Sequence, residues 1–257
     1  MPSSLTDPLS QARAVSRPVC IARQPAYAAR MEMEVSLPTA IPVMTLPDTV
    51  FFPQALLPLH IFEPRYQQML RDVLVTHRIF AVAHLNHTLA TAGGHFEPSC
   101  RVATAGIIRA CQKHGDDTSD LLLQGLCRVE CAEIVHEDPY RFMLIRPLAS
   151  TPGAGDQESR RMRDEAARLL QLRRKLDRAM LGEMADFLQT VEDPETFVDL
   201  AAFGLCADAA VKQTLLETLD TRRRLRLFSA RLRTDIATIR LRRKLQGALG
   251  DDAILNN

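Results

Sequence analysis

The chain has 257 residues, 46% of them hydrophobic and 25% charged, with a formal net charge of +1. No apolar run approaches the roughly 18–20 residues that span a bilayer, and near-neutral charge disfavours nucleic-acid binding driven by bulk electrostatics. Six scattered cysteines with no Cys-x-x-Cys pair exclude a disulfide scaffold and a paired-cysteine zinc module.

Residues 1–38 read as a disordered extension. Arg13, Arg17, Arg23 and Arg30 lie among Ser, Pro and Ala with no periodic apolar face. No continuous apolar core of a secretory signal is present, and Asp7 and the prolines of this stretch weaken a transit-peptide reading. Met31 and Met33 are alternative starts for the folded protein. Without a secretory signal or a spanning segment, the expected compartment is the cytoplasm.

Ile41 to Pro47 reads as an extended strand whose prolines suggest an edge. Phe51 to Phe62 reads as an apolar loop broken by Pro53 and Pro58. Pro64 sits where a first helical residue belongs, and Tyr66, Met69, Leu70, Val73 and Leu74 then recur on one helical face. Ile79 to Leu85 suits a buried strand. Arg101–Cys111 and Leu121–Val135 flank a turn at Lys113–Asp117, where the Gly115-Asp116 step suits a hairpin. Tyr140, Phe142 and Leu144 alternate as a further strand. Several short strands with one early helix predict a curled sheet or small barrel over residues 39–150, with the helix plugging one end.

Residues 151–157 have the composition of a linker, and residues 158–250 read as a helical bundle with a tail at 251–257. Met162, Ala166, Leu169, Leu176 and Met180 form one helical stripe. Asp193-Pro194-Glu195 supplies an N-cap, a proline at the first helical position and an acid in the first turn. Asp208 can cap a second helix. Thr221 opens a third that turns Leu225, Phe228, Leu232, Ile236 and Ile239 inward. The fold class is therefore α+β.

No glycine has a partner five residues on, so there is no phosphate-binding loop, and no Gly-x-Gly opens a helix after a strand. None of the ten serines adjoins a glycine, which argues against a nucleophile elbow. Cys111, Cys127 and Cys131 lie in apolar strands, where cysteine behaves as a small hydrophobe. His84, His87, His95 and Cys100 are the densest set of metal-type donors, but their spacing matches no tight ligand module. Residues 222–244 hold ten Arg or Lys and one acid, Asp235, yet their apolar spacing needs a core, and the stacking aromatics of a nucleic-acid binder are missing. What remains is apolar surface. Phe51, Phe52, Leu56, Leu57, Leu59, Ile61 and Phe62 crowd a proline-broken loop, and either they plug the barrel or some line a groove for a partner.

The run from Ile41-Pro42-Val43-Met44-Thr45-Leu46-Pro47-Asp48 through Leu57-Pro58-Leu59-His60-Ile61-Phe62-Glu63-Pro64-Arg65-Tyr66 resembles the amino-terminal domain of Lon ATP-dependent proteases. The likeness continues in Gly106-Ile107-Ile108, Gly125-Leu126-Cys127-Arg128-Val129, Asp138-Pro139-Tyr140, Asp199-Leu200, Lys212-Gln213, Leu216-Glu217 and Arg224-Leu225. It implies a PUA-like pseudo β-barrel with an inserted helix, followed by a C-terminal helical bundle. In Lon proteases this region takes part in substrate recognition and oligomer assembly. The P-loop and the serine–lysine dyad of the Lon enzymes find no counterpart here, and the chain is similar to bacterial stand-alone versions of the domain.

The expected function is that of a non-enzymatic polypeptide-binding module, an adaptor or chaperone-like protein of protein quality control. Its expected partners are unfolded or apolar polypeptide segments or a specific protein, with self-association open. No cofactor, metal, catalytic residue or membrane is expected. The candidate partner-binding residues are Phe51, Phe52, Leu57, His60, Phe62, Tyr66, Tyr140 and Phe142. The alternative is an RNA-binding PUA-like module using the Arg-rich carboxy-terminal helix.

Overall fold

Among the described residues of a computed structural model (36–86, 89, 98–151, 156–176 and 182–248), six strands and six helices follow one another. The strands are β1 (Ala40–Leu46), β2 (Leu56–Ile61), β3 (Ile79–His84), β4 (Val102–Lys113), β5 (Ser119–His136) and β6 (Phe142–Leu148). Helix α1 (Pro64–Leu74) interrupts them early. The carboxy-terminal half holds α2 (Asp156–Leu176), α3 (Gly182–Thr190), α4 (Pro194–Leu205), α5 (Ala209–Glu217) and α6 (Thr221–Ala248).

The six-stranded sheet runs β2-β5-β4-β3-β1-β6, with β1 and β3 parallel and the other pairs antiparallel. Strand β5 spans 18 residues and has three neighbours along its length. Its first third pairs with β2, Ser119 to Glu130 with β4, and Arg128 to His136 with β6. The β5–β6 pairing returns the sheet on itself, so β5, β4, β3, β1 and β6 form a closed circuit of hydrogen-bonded neighbours, and β2 hangs outside it. A closed ring of so few strands has room only for small interior side chains. The cluster enclosed there is accordingly rich in Ala81, Ala83, Ala103, Ala105, Cys127 and Cys131, packed with Ile41, Val43, Val129 and Ile145.

A second, larger apolar cluster lies on the other side of these strands. It joins Met44, Phe80, Val82, Ile108 and Leu123 to Met69 and Val73 of α1. It continues without a break into Leu170, Phe197, Leu216, Phe228 and Leu232 of the helices. The stripe read on α1 is the buried one, with Tyr66, Met69, Leu70 and Val73 inside and Pro64 at the first helical position. Both aspartate caps form as the sequence predicts. Asp193 Oδ2 accepts from the Thr196 N–H at 2.8 Å, and Asp208 Oδ1 accepts from the Ala210 and Val211 N–H groups at 3.0 and 3.2 Å. Thr221 opens α6, with Leu225, Phe228, Leu232 and Ile236 inward. Met180 of the predicted stripe, most of the predicted 1–38 extension and the 251–257 tail lie outside the described residues.

The Phe51–Phe62 segment differs from its reading as a broken loop. Phe52-Pro53-Gln54-Ala55 makes a tight turn, with the Ala55 N–H on the Phe52 carbonyl at 3.3 Å and Gln54 at φ 64°. Proline at the second turn position and a positive φ at the third are the pattern of a type II turn. Leu56–Ile61 then forms β2 in one-to-one register with Gln124–Ser119. Pro58 is tolerated because β2 is an edge strand, where one row of N–H groups has no ladder to join.

Candidate functional site

Phe51 and Phe52 are fully enclosed. Thr104 Oγ1 donates to the Phe51 carbonyl at 2.6 Å, and the Phe51 ring meets Phe203 of α4 edge-on at 6.2 Å. Gly125 comes so near the Phe52 carbonyl that a Cβ at that position would sit 2.2 Å from the oxygen. These two phenylalanines are therefore core residues that bring the strand lobe and the helices together. Leu57 and Tyr66 are likewise buried, the Tyr66 hydroxyl aiming at the Thr45 carbonyl. Of the two fates open to the Phe51–Phe62 side chains, burial takes most of them.

His60 and Phe62 are on the surface. On β2 the side chains alternate, with Leu57 and Ile61 inward and Leu56, Pro58 and His60 outward. Across the ladder, Leu56 stands beside Gln124, Pro58 beside Leu122 and His60 beside Asp120, while Ala110 of β4 is paired with Leu122. The result is a solvent-facing sheet surface with an apolar strip of Leu56 (51% exposed), Pro58, half-buried Leu122 and Ala110. Phe62 closes the strip at 62% exposure, its ring stacked on His60 with centroids 6.1 Å apart.

One end of the strip is polar. The imidazoles of His60 and His114 donate to the two oxygens of a single carboxylate, Asp120, at 2.7 and 2.8 Å. The His60 and His114 hydrogen bonds hold that carboxyl below its usual range. In the adjoining hairpin the Thr118 hydroxyl and N–H lower Asp116, and Lys113 lowers Asp117. The left-handed residue of this turn is Asp117 (φ 66°) rather than Gly115. At the other end, Arg109 Nε donates to Gln124 Oε1 at 2.6 Å.

Tyr140 and Phe142 belong to a separate patch, where β5 has run past the end of β4 and β6 lies between β5 and β1. The Phe142 ring stacks on His136 at 5.2 Å and Tyr140 meets His136 edge-on at 5.9 Å. The Tyr140 hydroxyl donates to Asp72 of α1 at 2.9 Å, and burial together with that carboxylate pushes the phenol up to about 12. The eight predicted residues thus divide into four buried ones, two on the β2 face and two on the β6 patch.

The Arg-rich helix is engaged in structure. Arg222 and Arg226 pair with Glu158, Arg231 with Asp208 and Asp235, and Arg233 with Glu165. Arg224 is buried. The pairs with Glu158 and Glu165 tie α6 to α2, so that part of the basic run serves the fold, which weakens the RNA reading, while Arg223, Arg240 and Arg242 stay exposed.

Sequence reasoning missed the buried charge cluster between the two halves of the chain. Arg128 of β5 makes a forked pair with Asp199 of α4 at 2.8 and 2.7 Å, and its Nε donates to the Leu216 carbonyl. Arg224 donates to the same carboxylate at 2.8 Å, and to the Thr218 carbonyl and Ser150 Oγ at 2.9 Å. Glu195 lies 3.6 Å from both guanidiniums. Burial pulls the Arg224 guanidinium down from its usual value, opposed by Asp199. Two arginines and two carboxylates balance, so the cluster is neutral. A signal existed, since Arg128, Asp199, Leu216 and Arg224 all fall within the segments that carry the family likeness.

Among the described residues no group of three or more His, Cys, Asp or Glu is placed to hold a metal. His84 is buried in β3, its carbonyl accepting from the Cys100 N–H, while His87 and His95 lie outside the described residues. Burial pushes the thiols of Cys100, Cys111 and Cys206 up, and that of Cys131 up to about 11, away from the thiolate form a nucleophile requires. Among the described residues no helix is long and apolar enough to cross a membrane.

Both the sequence and the overall fold are similar to those of known proteins. Residues 40–233 match the model of the ATP-dependent protease La (LON) substrate-binding domain, and the chain belongs to that family. It is 24% identical over 218 residues to the Lon protease of Desulfosudis oleivorans, covering 84% of this chain and 26% of that protein. It is 26% identical over 222 residues to the Lon protease of Syntrophus aciditrophicus, covering 84% and 28%. The chain thus spans about a quarter of the length of these curated relatives. Its fold is similar to the N-terminal domain of a Mycobacterium avium complex Lon protease, with TM-score 0.58, 18% identity, and 74% of this chain and 95% of the other covered. A Lon N-terminal domain protein from Xanthomonas campestris matches with TM-score 0.53 and 19% identity over 75% of this chain and 98% of that one.

Proposed function

We propose that this chain binds unfolded or apolar polypeptide segments on the outer face of β2, β5 and β4, and acts without catalysis as an adaptor or chaperone-like module. The observation that carries the reading is the exposed strip Leu56, Pro58, Leu122 and Phe62 on a sheet whose other face is the core of a substrate-binding family member. An exposed Leu and Phe at the two ends of the strip gain roughly 1.5–3 kcal/mol each if a partner buries them fully. The closed strand circuit supports a PUA-type pseudo-barrel over residues 39–150, and the helices from Asp156 onward support a bundle beyond it. The absence of a spanning helix among the described residues is compatible with a cytoplasmic site of action.

The test is an anisotropy titration of a labelled unfolded polypeptide. Phe62→Ala and Leu56→Ser, both on exposed positions, are expected to weaken binding by about tenfold each while the melting temperature holds. Unchanged affinity in both variants would move the site elsewhere.

A further inference from the structure

A helix packed on a globular lobe ordinarily carries one apolar stripe, turned to the core. Helix α6 carries two. Leu225, Phe228, Leu232 and Ile236 form the buried one. Leu227, Ala230, Thr234, Ala237, Leu241 and Leu245 form a second, and all six are exposed. At roughly 100° per residue these six fall within an arc of about 80° on the side of the helix away from the core, and they run for about 27 Å along it. The steps from Leu227 to Leu241 alternate three and four residues, the repeat by which one helix seats on another. The Thr234 and Thr238 hydroxyls donate back to the Ala230 and Thr234 carbonyls at 3.2 and 3.0 Å, so neither needs a partner outside the helix. Small residues at the middle of the stripe let a second helix axis come close.

The neighbours of α6 leave this stripe open. Arg222, Arg226 and Arg233 reach Glu158 and Glu165 of α2 along one flank, and Arg231 reaches Asp208 along the other. Arg223, Arg240, Arg242 and Lys244 are exposed, and among the described residues none of them has a carboxylate partner. Arg223 and Lys244 stand near the two ends of the stripe, and Arg240 and Arg242 stand on either side of Leu241. The one acid between Arg222 and Lys244 is Asp235, which Arg173 and Arg231 hold. An apolar seam bordered by unpaired cations is complemented by an amphipathic helix whose own seam is bordered by carboxylates. A second copy of this chain brings like charges to the same borders, which disfavours it. A phosphate backbone has no use for the apolar stripe.

We propose that the outward face of α6 docks an acidic amphipathic helix of another protein, with apolar residues of that helix on Leu227, Ala230, Thr234, Ala237 and Leu241 and its carboxylates on Arg223, Arg240, Arg242 and Lys244. This site is separate from the β2 face and does not depend on it.

The probe is a labelled synthetic peptide of four heptads, with leucine at the two seam positions and glutamate flanking them. Two controls accompany it, one with lysine in place of the flanking glutamates and one with serine in place of the leucines. The acidic leucine peptide should bind and the other two should be weaker by about tenfold or more. Leu227→Ser together with Leu241→Ser should cost about tenfold in its affinity, and Arg240→Gln with Arg242→Gln severalfold. All four positions are exposed, so circular dichroism should show an unchanged fold. Phe62→Ala on the β2 face should leave the peptide affinity as it was. No binding of the acidic leucine peptide overturns the proposal. Equal binding of the serine peptide overturns it too, by reducing the contact to charge alone. Sedimentation equilibrium that shows a dimer lost on Leu241→Ser makes a second copy the occupant and overturns the acidic helix. Tighter binding of phosphatidylserine vesicles or of a single-stranded RNA, lost on the same substitutions, does likewise.

Discussion

Replacing Asp199 by asparagine tests whether the charge cluster at the lobe junction holds the fold together. Asp199 is 1% exposed and answers two guanidiniums that are 2% and 0% exposed. The amide keeps the shape but removes the charge, and its NH2 group meets donors where an acceptor stood. Glu195, half-exposed and 3.6 Å away, compensates only in part. Breaking a buried pair in this way costs about 3–5 kcal/mol. That is a large share of a typical total stability of about 5–15 kcal/mol. The assay is urea unfolding followed by circular dichroism, where the midpoint should fall at unchanged m-value, with a thermal midpoint lower by about 10 °C. Restoring an apolar junction with Arg128→Met, Asp199→Leu and Arg224→Met together should recover most of the loss, since well-packed apolar replacements of buried ions are often neutral. A loss under about 1 kcal/mol for Asp199→Asn would refute the cluster's role in joining the lobes.

Phe52→Ala should cost about 3–5 kcal/mol in urea unfolding, whereas Phe62→Ala should stay within about 0.5 kcal/mol of the parent, because only the first is enclosed. Gly125→Ala should yield little folded protein on a solubility and circular-dichroism screen, since its methyl would meet the Phe52 carbonyl oxygen, a backbone atom that cannot swing aside. The Asp208 carboxyl is lowered first by its bond from the Val211 N–H. Its capping contribution is therefore full above the unfolded value near 3.9 and is lost as pH falls through the lower folded value. Asp208→Ala should flatten that acid limb of a stability–pH curve and cost about 1 kcal/mol at neutral pH.

Local rules were legible where one physical effect dominated. The α1 stripe, the Asp193 and Asp208 caps and the inward face of α6 each follow from periodicity or from an orphan N–H finding a carboxylate. Phe51 and Phe52 were not legible, because their burial depends on Gly125 and Thr104, more than 50 residues away in sequence. Pro58 misled for a related reason. Whether a proline breaks a strand or sits on its open edge is decided by which neighbour the strand finds, and β5 is 58 residues or more downstream. The arginines of α6 read from sequence as a solvated basic run, whereas Glu158, Glu165 and Asp208 pair with several of them. In each case the missing information was a partner on another element.

Leucine-methyl spectra recorded with and without saturating unfolded polypeptide test the central claim most directly, because exposed leucines mark every candidate surface. The binding face on β2 and β5 predicts shifts at Leu56 and Leu122, with Leu144 on the β6 patch and Leu241 and Leu245 on α6 unmoved. Shifts confined to Leu144, or to Leu241 and Leu245, would contradict it.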